Sequence, residues 1–232
     1  MVDLKNIKRV YFLGIGGIGM SALAKYFLSK KIIVGGYDKT ESPITGTLEN
    51  EGAQINYTDD EAFADKDAEL VIYTPAIPAG NLQLKYYQTN NYPVYKRSDV
   101  LSEITTGGFN ICVAGTHGKP TISTMIAYIL TDNGNGCNSF LGGVSVNYNS
   151  NFISAPSNTN VVEADEYDRS FLKLTPDVAI ISAMDADHLD IYGDEATMQN
   201  AFVEFAAKTK SNGLLITKFG LAKDKNFTTP HH

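Results

Sequence analysis

Residues 109–121 read FNICVAGTHGKPT, and this stretch decides the fold of the second half of the chain. The apolar run Phe109 to Ala114 predicts a strand, and Ile122 to Leu130 has the pattern of a helix. A strand, a glycine-rich turn and a helix start form a phosphate cradle, because backbone N–H groups and the helix N-terminus favour negative charge. The stretch therefore predicts a nucleoside triphosphate site made of these residues: Gly115, Thr116, His117, Gly118, Lys119 and Thr121.

The residue after the lysine departs from the usual form of this motif. That position normally carries Ser or Thr, whose hydroxyl binds Mg2+. Here it is Pro120, which has neither a hydroxyl nor a backbone N–H. Losing one charge-assisted contact of this kind costs roughly 10- to 150-fold in affinity, whereas a proline in the first helical turn leaves the fold intact.

A second glycine cluster lies near the N-terminus, between the apolar run 9–13 and a helical pattern that reaches Leu28. Gly14, Gly16 and Gly19 satisfy the G-x-G-x-x-G spacing, and Asp38 follows at the end of the next predicted strand. Such glycines let the backbone approach a diphosphate, and the acid can accept a ribose hydroxyl. The cluster predicts a diphosphate site without deciding between NAD and a UDP-sugar.

Composition limits the classes of function. The 232 residues suit one large domain or two modest ones, and a formal net charge of -7 argues against nucleic acid as the main partner. No apolar run approaches the roughly 20 residues that span a bilayer, so we expect no membrane insertion and a cytoplasmic protein. Cys112 and Cys137 stand alone in apolar surroundings, which predicts buried free thiols.

Strands and helices alternate along the chain, which predicts an α/β fold with mostly parallel sheets. A Rossmann-like domain is expected over residues 1–107, and a second α/β domain over 108–232 after the hinge-like Thr106-Gly107-Gly108. The Asn- and Ser-rich stretch 147–160 is predicted to be a loop. Because the chain ends soon after its last predicted strand, we expect the second domain to be incomplete.

Acidic residues and a histidine follow two predicted strands of the second domain. Glu163-Ala164-Asp165-Glu166 follows Val161-Val162, and His188 lies in Asp185-Ala186-Asp187-His188-Leu189-Asp190 after another apolar run. Side chains at the carboxyl ends of such strands face the ligand crevice. Clustered carboxylates repel one another unless a cation lies among them, and a neutral imidazole can bind a metal. The pattern predicts Mg2+ beside the triphosphate, with Asp187 or Asp190 orienting His188.

Taken together, these motifs resemble those of the ATP-dependent Mur ligases. The stretches that carry the resemblance cover nearly the whole chain in matching order: GIGGIGMSALA from Gly14, YTPAIP at 73–78, GTHGK at 115–119, EADEYDRSF at 163–171 and DADHLDIYG at 185–193. Within the family, they are most similar to the enzymes that join L-alanine to UDP-N-acetylmuramate.

The resemblance implies a three-domain enzyme whose domains bind the UDP-sugar, Mg-ATP and the amino acid in turn. It implies that Lys119 holds the β- and γ-phosphates, that Glu163 and His188 each bind a Mg2+, and that His117 lies near the reacting phosphate. It further implies that the UDP diphosphate lies on the first glycine cluster: Gly16, Gly17, Ile18, Gly19, Met20 and Ser21. The central, Mg-ATP-binding domain is expected to be a P-loop NTPase-like α/β domain. The third domain has no counterpart in this sequence, so we expect this chain alone not to turn over.

Two alternatives remain open from the sequence. Pro120 is compatible with a non-catalytic UDP-sugar-binding paralogue whose ATP site is disabled. The first glycine cluster with Asp38 is also compatible with an NAD-dependent oxidoreductase, although that function leaves Lys119, Glu163 and His188 unexplained.

Overall fold

A computed structural model describes residues 4–229 and residue 231. The chain forms two compact units, of which the first ends at Ile104 and the second begins at Thr105. The sequence had placed this boundary at Gly107, within the turn before the next strand. In the part of the chain that the structure describes, no helix has the length and apolar character needed to cross a bilayer.

The first unit is built on a five-stranded parallel sheet with the order β3-β2-β1-β4-β5. Its elements in chain order are β1 (Arg9–Leu13), α1 (Ile18–Ser29), β2 (Ile33–Tyr37), α2 (Pro43–Asn50), β3 (Gln54–Asn56), β4 (Leu70–Tyr73), α3 (Leu82–Thr89), β5 (Val94–Lys96) and α4 (Arg97–Thr105). The strand order reverses between β1 and β4, and ligands of open α/β sheets bind outside the carboxyl ends of the strands at such a point.

Local sequence signals explain several helix starts in this unit. Ser42 caps α2 by accepting a hydrogen bond from the Thr45 amide, the Thr45 hydroxyl accepts in return from the Ser42 amide, and Pro43 occupies the first turn. Asn81 caps α3 by accepting from the Leu84 amide at 2.8 Å. The core beneath α1 includes Phe27, whose ring meets Phe12 of β1 edge-on.

The second unit is built on a six-stranded sheet with the order β11-β10-β6-β9-β7-β8. Its elements are β6 (Phe109–Ala114), α5 (Lys119–Asp132), β7 (Asn138–Ser145), β8 (Ser150–Ile153), β9 (Thr159–Glu163), β10 (Val178–Ile181), α6 (Leu189–Tyr192), α7 (Glu195–Ala207) and β11 (Leu214–Thr217). The pairs are parallel except β7 with β8, which is antiparallel. The predicted α/β class with parallel sheets is confirmed.

The prediction of a loop over residues 147–160 is wrong, because β8 lies inside it. The polar composition concealed this edge strand, whose apolar residues pack inward. Phe152 is buried and its ring lies 5.2 Å from that of Phe140 on β7, while Asn151 is also buried. A tight turn between β7 and β8 uses the Asn-rich part of the stretch.

Three further secondary-structure elements, β3, α4 and α6, are not predicted from the sequence. The strand β3 has only three residues and α6 has four, too few for a periodic pattern to emerge. Helix α4 begins directly after β5 with no glycine between them, and the two buried residues Val100 and Leu101 hold it.

The position of β6 in its sheet determines where the candidate site lies. β6 pairs with β9 on one side and β10 on the other, so the loops after these three strands emerge at one edge. Ala127 of α5 packs against Val161 of β9 and against Cys137, which anchors the helix that follows the glycine loop. Cys112 and Cys137 are buried free thiols, as predicted.

Candidate functional site

The glycine turn after β1 is held by backbone and side-chain hydrogen bonds. The amides of Gly14 and Ile15 both donate to the Tyr37 carbonyl, at 2.8 and 3.1 Å. The Gly16 amide donates to Asp38 Oδ2 at 2.8 Å. Asp38, predicted to receive a ribose hydroxyl, therefore also fixes the shape of the glycine turn.

A cavity of about 800 Å³ opens at this turn, where the strand order reverses. Gly14, Gly16, Gly17 and Asp38 line it, together with residues that the sequence did not single out: Tyr37, Lys39, Thr40, Ser42, Asp59, Thr74, Ala76, Ile77, Pro78, Gly80 and Asn81. Its volume lies within the usual range for small-molecule sites.

The other residues predicted for this site form the first turn of α1: Ile18, Gly19, Met20 and Ser21. Met20 and Ser21 are buried, and the Ser21 hydroxyl donates to the Ile18 carbonyl. A Cβ on Gly19 would lie 2.6 Å from Nη1 of Arg97, so the guanidinium packs directly against this turn. The contribution of these four residues to ligand binding stays a prediction.

In the second unit, the glycine loop joins β6 to α5 as predicted, and Lys119 is the first residue of the helix. Lys119 Nζ donates to the Gly115 carbonyl and to Glu166 Oε1, both at 2.7 Å. Ser182, after β10, donates its hydroxyl to the carbonyls of Ala114 and His117. The glycine loop therefore binds the Lys119 side chain through its own backbone, and Ser182 holds the loop in this conformation.

Thr116 has a structural task within the same loop. Its amide donates to the Ala183 carbonyl at 3.1 Å, and its hydroxyl accepts from the Asp185 amide at 3.2 Å. These bonds tie the glycine loop to the segment that follows β10. His117 is exposed, with Nε2 3.9 Å from Asp185 Oδ2.

Pro120 occupies the first turn of α5, and both it and Thr121 are exposed. The first helical turn needs no intrahelical hydrogen bond from this position, which is why the helix forms despite the proline. The turn consequently offers one amide fewer to an anion. The structure thus shows an intact helix start at Pro120, and the effect of the proline on phosphate binding stays a prediction.

Glu163 ends β9 beside the start of α5. Glu163 Oε2 accepts from the Gly142 amide at 2.9 Å and from the Ser123 hydroxyl at 3.4 Å. Burial raises the pKa of this carboxyl, while the hydrogen bond from Gly142 and the charge of Lys119 act in the opposite direction. A Cβ on Gly142 would meet the Glu163 carboxylate, so a larger residue there would force this side chain to move.

His188 lies at the start of α6, in a left-handed backbone conformation with φ of 51°. Its Nε2 is 3.9 Å from Glu166 Oε1 and its Nδ1 is 3.8 Å from Asp187 Oδ1. Its ring meets that of Tyr167 edge-on. Positive φ in a residue other than glycine is uncommon and concentrates at functional sites.

The sequence pattern described as "Mur ligase family, catalytic domain" matches residues 9–108, and "Mur ligase middle domain" matches residues 113–228. The chain belongs to the Mur ligase family. These two matches follow the two compact units of the structure closely.

Curated relatives of this Mur ligase include UDP-N-acetylmuramate–L-alanine ligases. The protein from Cytophaga hutchinsonii is 49% identical over 226 residues, covering 94% of this chain and 48% of that protein. The protein from Parabacteroides distasonis is 47% identical, covering 95% of this chain and 49% of that protein. The chain thus spans about half the length of the curated relatives it matches.

Solved structures of Mur ligases share the fold. UDP-N-acetylmuramate-alanine ligase from Thermotoga maritima has a TM-score of 0.83 at 28% identity, covering 95% of this chain and 50% of that one. UDP-N-acetylmuramate:L-alanyl-γ-D-glutamyl-meso-diaminopimelate ligase from Neisseria meningitides has a TM-score of 0.87 at 25% identity, covering 95% and 74%. None of the relatives named here is a nicotinamide-dependent enzyme, so the oxidoreductase alternative gains no support.

The metal prediction for this Mur ligase concerns Glu163 and His188. Among the described residues, no three or more His, Cys, Asp or Glu side chains gather in a group that could hold a metal ion. Binding of Mg2+ by Glu163 and His188 therefore stays a prediction.

Glu166 is the principal residue that the sequence reading left out of the site. Glu166 belongs to the acidic cluster 163–166, but nothing in the sequence distinguishes it from the neighbouring Asp165. The structure shows Glu166 wholly buried and bonded to Lys119, with its pKa raised by burial and lowered in part by that lysine. Ser123 was also missed, although its position one helical turn after Lys119 places its hydroxyl near the same loop.

Proposed function

We propose that this protein is an ATP-dependent ligase that forms an amide between L-alanine and the muramyl carboxylate of UDP-N-acetylmuramate, in peptidoglycan precursor synthesis. The observation that carries the proposal is that Lys119 and His188 both lie beside Glu166 in a member of the Mur ligase family. Glu163 ends the neighbouring strand β9 at the same edge of the sheet. The first unit supplies a separate cavity with a glycine turn for the sugar nucleotide.

The proposed reaction has two steps. The muramyl carboxylate attacks the γ-phosphorus of ATP, which forms an acyl phosphate and releases ADP. The L-alanine amine then attacks the acyl carbon, forming the amide as inorganic phosphate leaves and a proton is lost. Positioning and electrostatic stabilisation dominate catalysis of phosphoryl transfer, so fixed cations and backbone donors are the groups it needs.

The residues of the second unit have distinct tasks in this proposal. Lys119 binds the β- and γ-phosphates, and His117 lies near the phosphate that is transferred. Glu163 and His188 would hold Mg2+, which neutralises phosphate charge when it is bound. Thr116 and Ser182 hold the loop in shape through hydrogen bonds to neighbouring segments.

The diphosphate of the sugar nucleotide is assigned to the glycine turn of the first unit. Helix α1 begins there, and the N-terminus of a helix favours an anion. The cavity lined by Gly14, Gly17 and Asp38 has room for the nucleoside. We further propose a cytoplasmic location, where ATP and the sugar nucleotide are both available.

Pro120 favours one second candidate, a UDP-sugar-binding paralogue that does not hydrolyse ATP. The missing hydroxyl and amide weaken Mg-ATP binding without affecting the first unit. The two candidates differ in one simple measurement, the affinity for Mg-ATP.

The test of the proposed function is phosphate release by the intact protein. Release is expected only when UDP-N-acetylmuramate, L-alanine and Mg-ATP are present together. Equal release without the sugar nucleotide would exclude the ligase. Tight binding of the sugar nucleotide with no release and no Mg-ATP binding would favour the paralogue.

A further inference from the structure

Glu166 is the most buried charged residue beside the glycine loop, and the proposed chemistry gives it no task. The residue is 0% exposed. Oε1 accepts from Lys119 at 2.7 Å, while Oε2 is buried and has no hydrogen-bond partner among the described residues. A buried carboxylate is costly unless it is paired, so this arrangement calls for an explanation.

The hydrogen bonds of Lys119 indicate what Glu166 does. A lysine ammonium carries three N–H donors. Two of them are directed at the Gly115 carbonyl and at Glu166 Oε1, each at 2.7 Å. These two contacts fix the direction of the third, and the amino group itself is only partly buried.

We propose that Glu166 is a positioning residue that orients Lys119 so that its remaining N–H meets the terminal phosphates of the nucleotide. This inference rests on the proposed function, because it assumes that the loop receives ATP. Glu166 acts through Lys119 and does not itself touch the nucleotide.

The backbone around Glu166 is held as a positioning role requires. The Glu166 carbonyl accepts from the Tyr192 hydroxyl at 2.5 Å and from the Arg169 amide at 3.0 Å. The Arg169 guanidinium in turn lies over the Tyr192 ring. These contacts hold the backbone at Glu166 in place. They therefore fix the position of its carboxylate relative to the glycine loop after β6.

Glu163 provides an internal contrast three residues earlier. Its carboxylate is bonded to the Gly142 amide and the Ser123 hydroxyl, and no bond to Lys119 is seen among the described residues. Lys119 thus distinguishes between two nearby carboxylates and pairs with the one that is more deeply buried. The two acids have separate tasks, metal binding for Glu163 and lysine orientation for Glu166.

The first arm of the test needs no nucleotide. Reductive methylation followed by peptide mass spectrometry measures how fast Lys119 is modified, with the exposed Lys85 and Lys208 as internal references. Glu166→Gln keeps the shape of the side chain and removes its charge. We expect its Lys119 to react about fivefold faster than in the wild type, because a charge-assisted hydrogen bond is weakened. Glu204→Gln, the same change at an exposed site on α7, should leave the rate unchanged.

The second arm is a double-mutant cycle on ATP affinity. Glu166→Gln is expected to weaken ATP binding about tenfold while leaving AMP binding unchanged, since Lys119 acts on the terminal phosphates. In a Lys119→Met background, the same substitution should change ATP affinity less than about twofold. A merely structural glutamate would lower stability and weaken AMP and ATP alike.

The two arms separate this inference from the proposed function. An unchanged labelling rate in Glu166→Gln, or an equal loss of ATP affinity with and without Lys119, overturns the positioning role. Failure of the wild-type chain to bind ATP at all contradicts the nucleotide assignment, and with it the phosphate contact, even where labelling shows that Glu166 orients Lys119.

Discussion

The two glycine turns of this chain share the order strand, turn, helix, but the charged side chain that contacts the turn has the opposite sign. Each follows a central strand of a parallel sheet and leads into a helix, α1 in the first unit and α5 in the second. The first turn meets an acid, Asp38, and opens on a cavity of about 800 Å³. The second meets a lysine and is closed around it. We therefore expect the glycines to mark an anion site in each unit and the charged neighbours to decide which anion binds.

The largest expected effect concerns the rigidity of the two turns. Gly115 has φ of 131°, and a Cβ there would lie 2.8 Å from the Ala183 backbone nitrogen. Gly14 has φ of 83°, and the atoms nearest its Cβ would belong to side chains, Thr74 Cγ2 at 2.6 Å and Ile77 at 3.5 Å. Gly115→Ala should destabilise the second unit by about 3 kcal/mol or more, and Gly14→Ala the first unit by about 1–2 kcal/mol.

Hydrogen exchange with peptide resolution measures each unit separately. Gly134→Ala is the matched control, because φ there is 78° and a Cβ would meet nothing within 4 Å. It should cost about 1 kcal/mol, the price of a left-handed alanine alone. Equal losses at Gly115 and Gly134 would show that the close approach to Ala183 does not constrain the loop.

The next effect tests the charge that distinguishes the second turn. Lys119→Met should weaken ATP binding roughly 10- to 150-fold through loss of charge-assisted contacts, with AMP affected far less. Lys208→Met on the same unit removes an exposed lysine and should have no effect. Fluorescence titration with each nucleotide gives both affinities. A similar loss for ATP and AMP would mean that Lys119 does not contact the terminal phosphates.

Substitution of Pro120 sharpens the comparison by restoring the usual donor set of the second turn. Pro120→Thr should strengthen Mg-ATP binding about tenfold, because it returns a hydroxyl ligand and an amide. Pro120→Ala returns only the amide and should recover part of that gain. Titration of both variants with and without Mg2+ separates the two contributions. If neither variant binds Mg-ATP more tightly than the wild type, Pro120 does not weaken nucleotide binding by this loop.

The smallest expected effect is a dependence of stability on pH. Burial raises the pKa of Glu163 and Glu166 above the ordinary value of 4.5, so the folded state binds protons more tightly than the unfolded state. Their contribution to stability is complete below the ordinary value and is lost as pH rises through the raised values. The second unit should therefore resist urea better at about pH 5 than at about pH 7.

Glu166→Gln should reduce this pH dependence, since it removes one of the two titrating groups. Asp194 does not interfere in that range, because the backbone hydrogen bond from Thr197 lowers its pKa and its contribution disappears only in more acidic solution. A second unit that loses stability from pH 7 to pH 5, equally in the wild type and in Glu166→Gln, would contradict the assignment.

Sequence alone predicted the elements that carry strong patterns. The apolar runs of β1, β6 and β10 and the glycine turns after β1 and β6 follow from short-range rules, and the structure has them in place. The same rules missed β8, because its burial depends on a partner strand, and on the contact between Phe152 and Phe140 in particular. The pattern of residues within one segment does not show a contact, such as that between Phe152 and Phe140, that forms only when two strands pair in the sheet.

For the candidate site, the sequence selects some residues, whose roles stay predictions, and misses others. Lys119, Glu163 and His188 belong to motifs with fixed spacing, so the sequence could select them. Glu166 could not be distinguished from Asp165, because only the fold shows which acid turns inward to Lys119. The wall of the first cavity, including Asp59 and Asn81, comes from segments that no motif marks.

The most direct test of the central claim, that the two turns serve two different ligands, is a calorimetric titration of the chain. UDP-N-acetylmuramate should bind the wild type and the Lys119→Met variant with the same affinity. NAD should bind neither of these two proteins. At about 100 times its dissociation constant, the sugar nucleotide should also stabilise the chain by about 2.7 kcal/mol. Binding of NAD in place of the sugar nucleotide, or loss of sugar-nucleotide binding in Lys119→Met, would contradict the account.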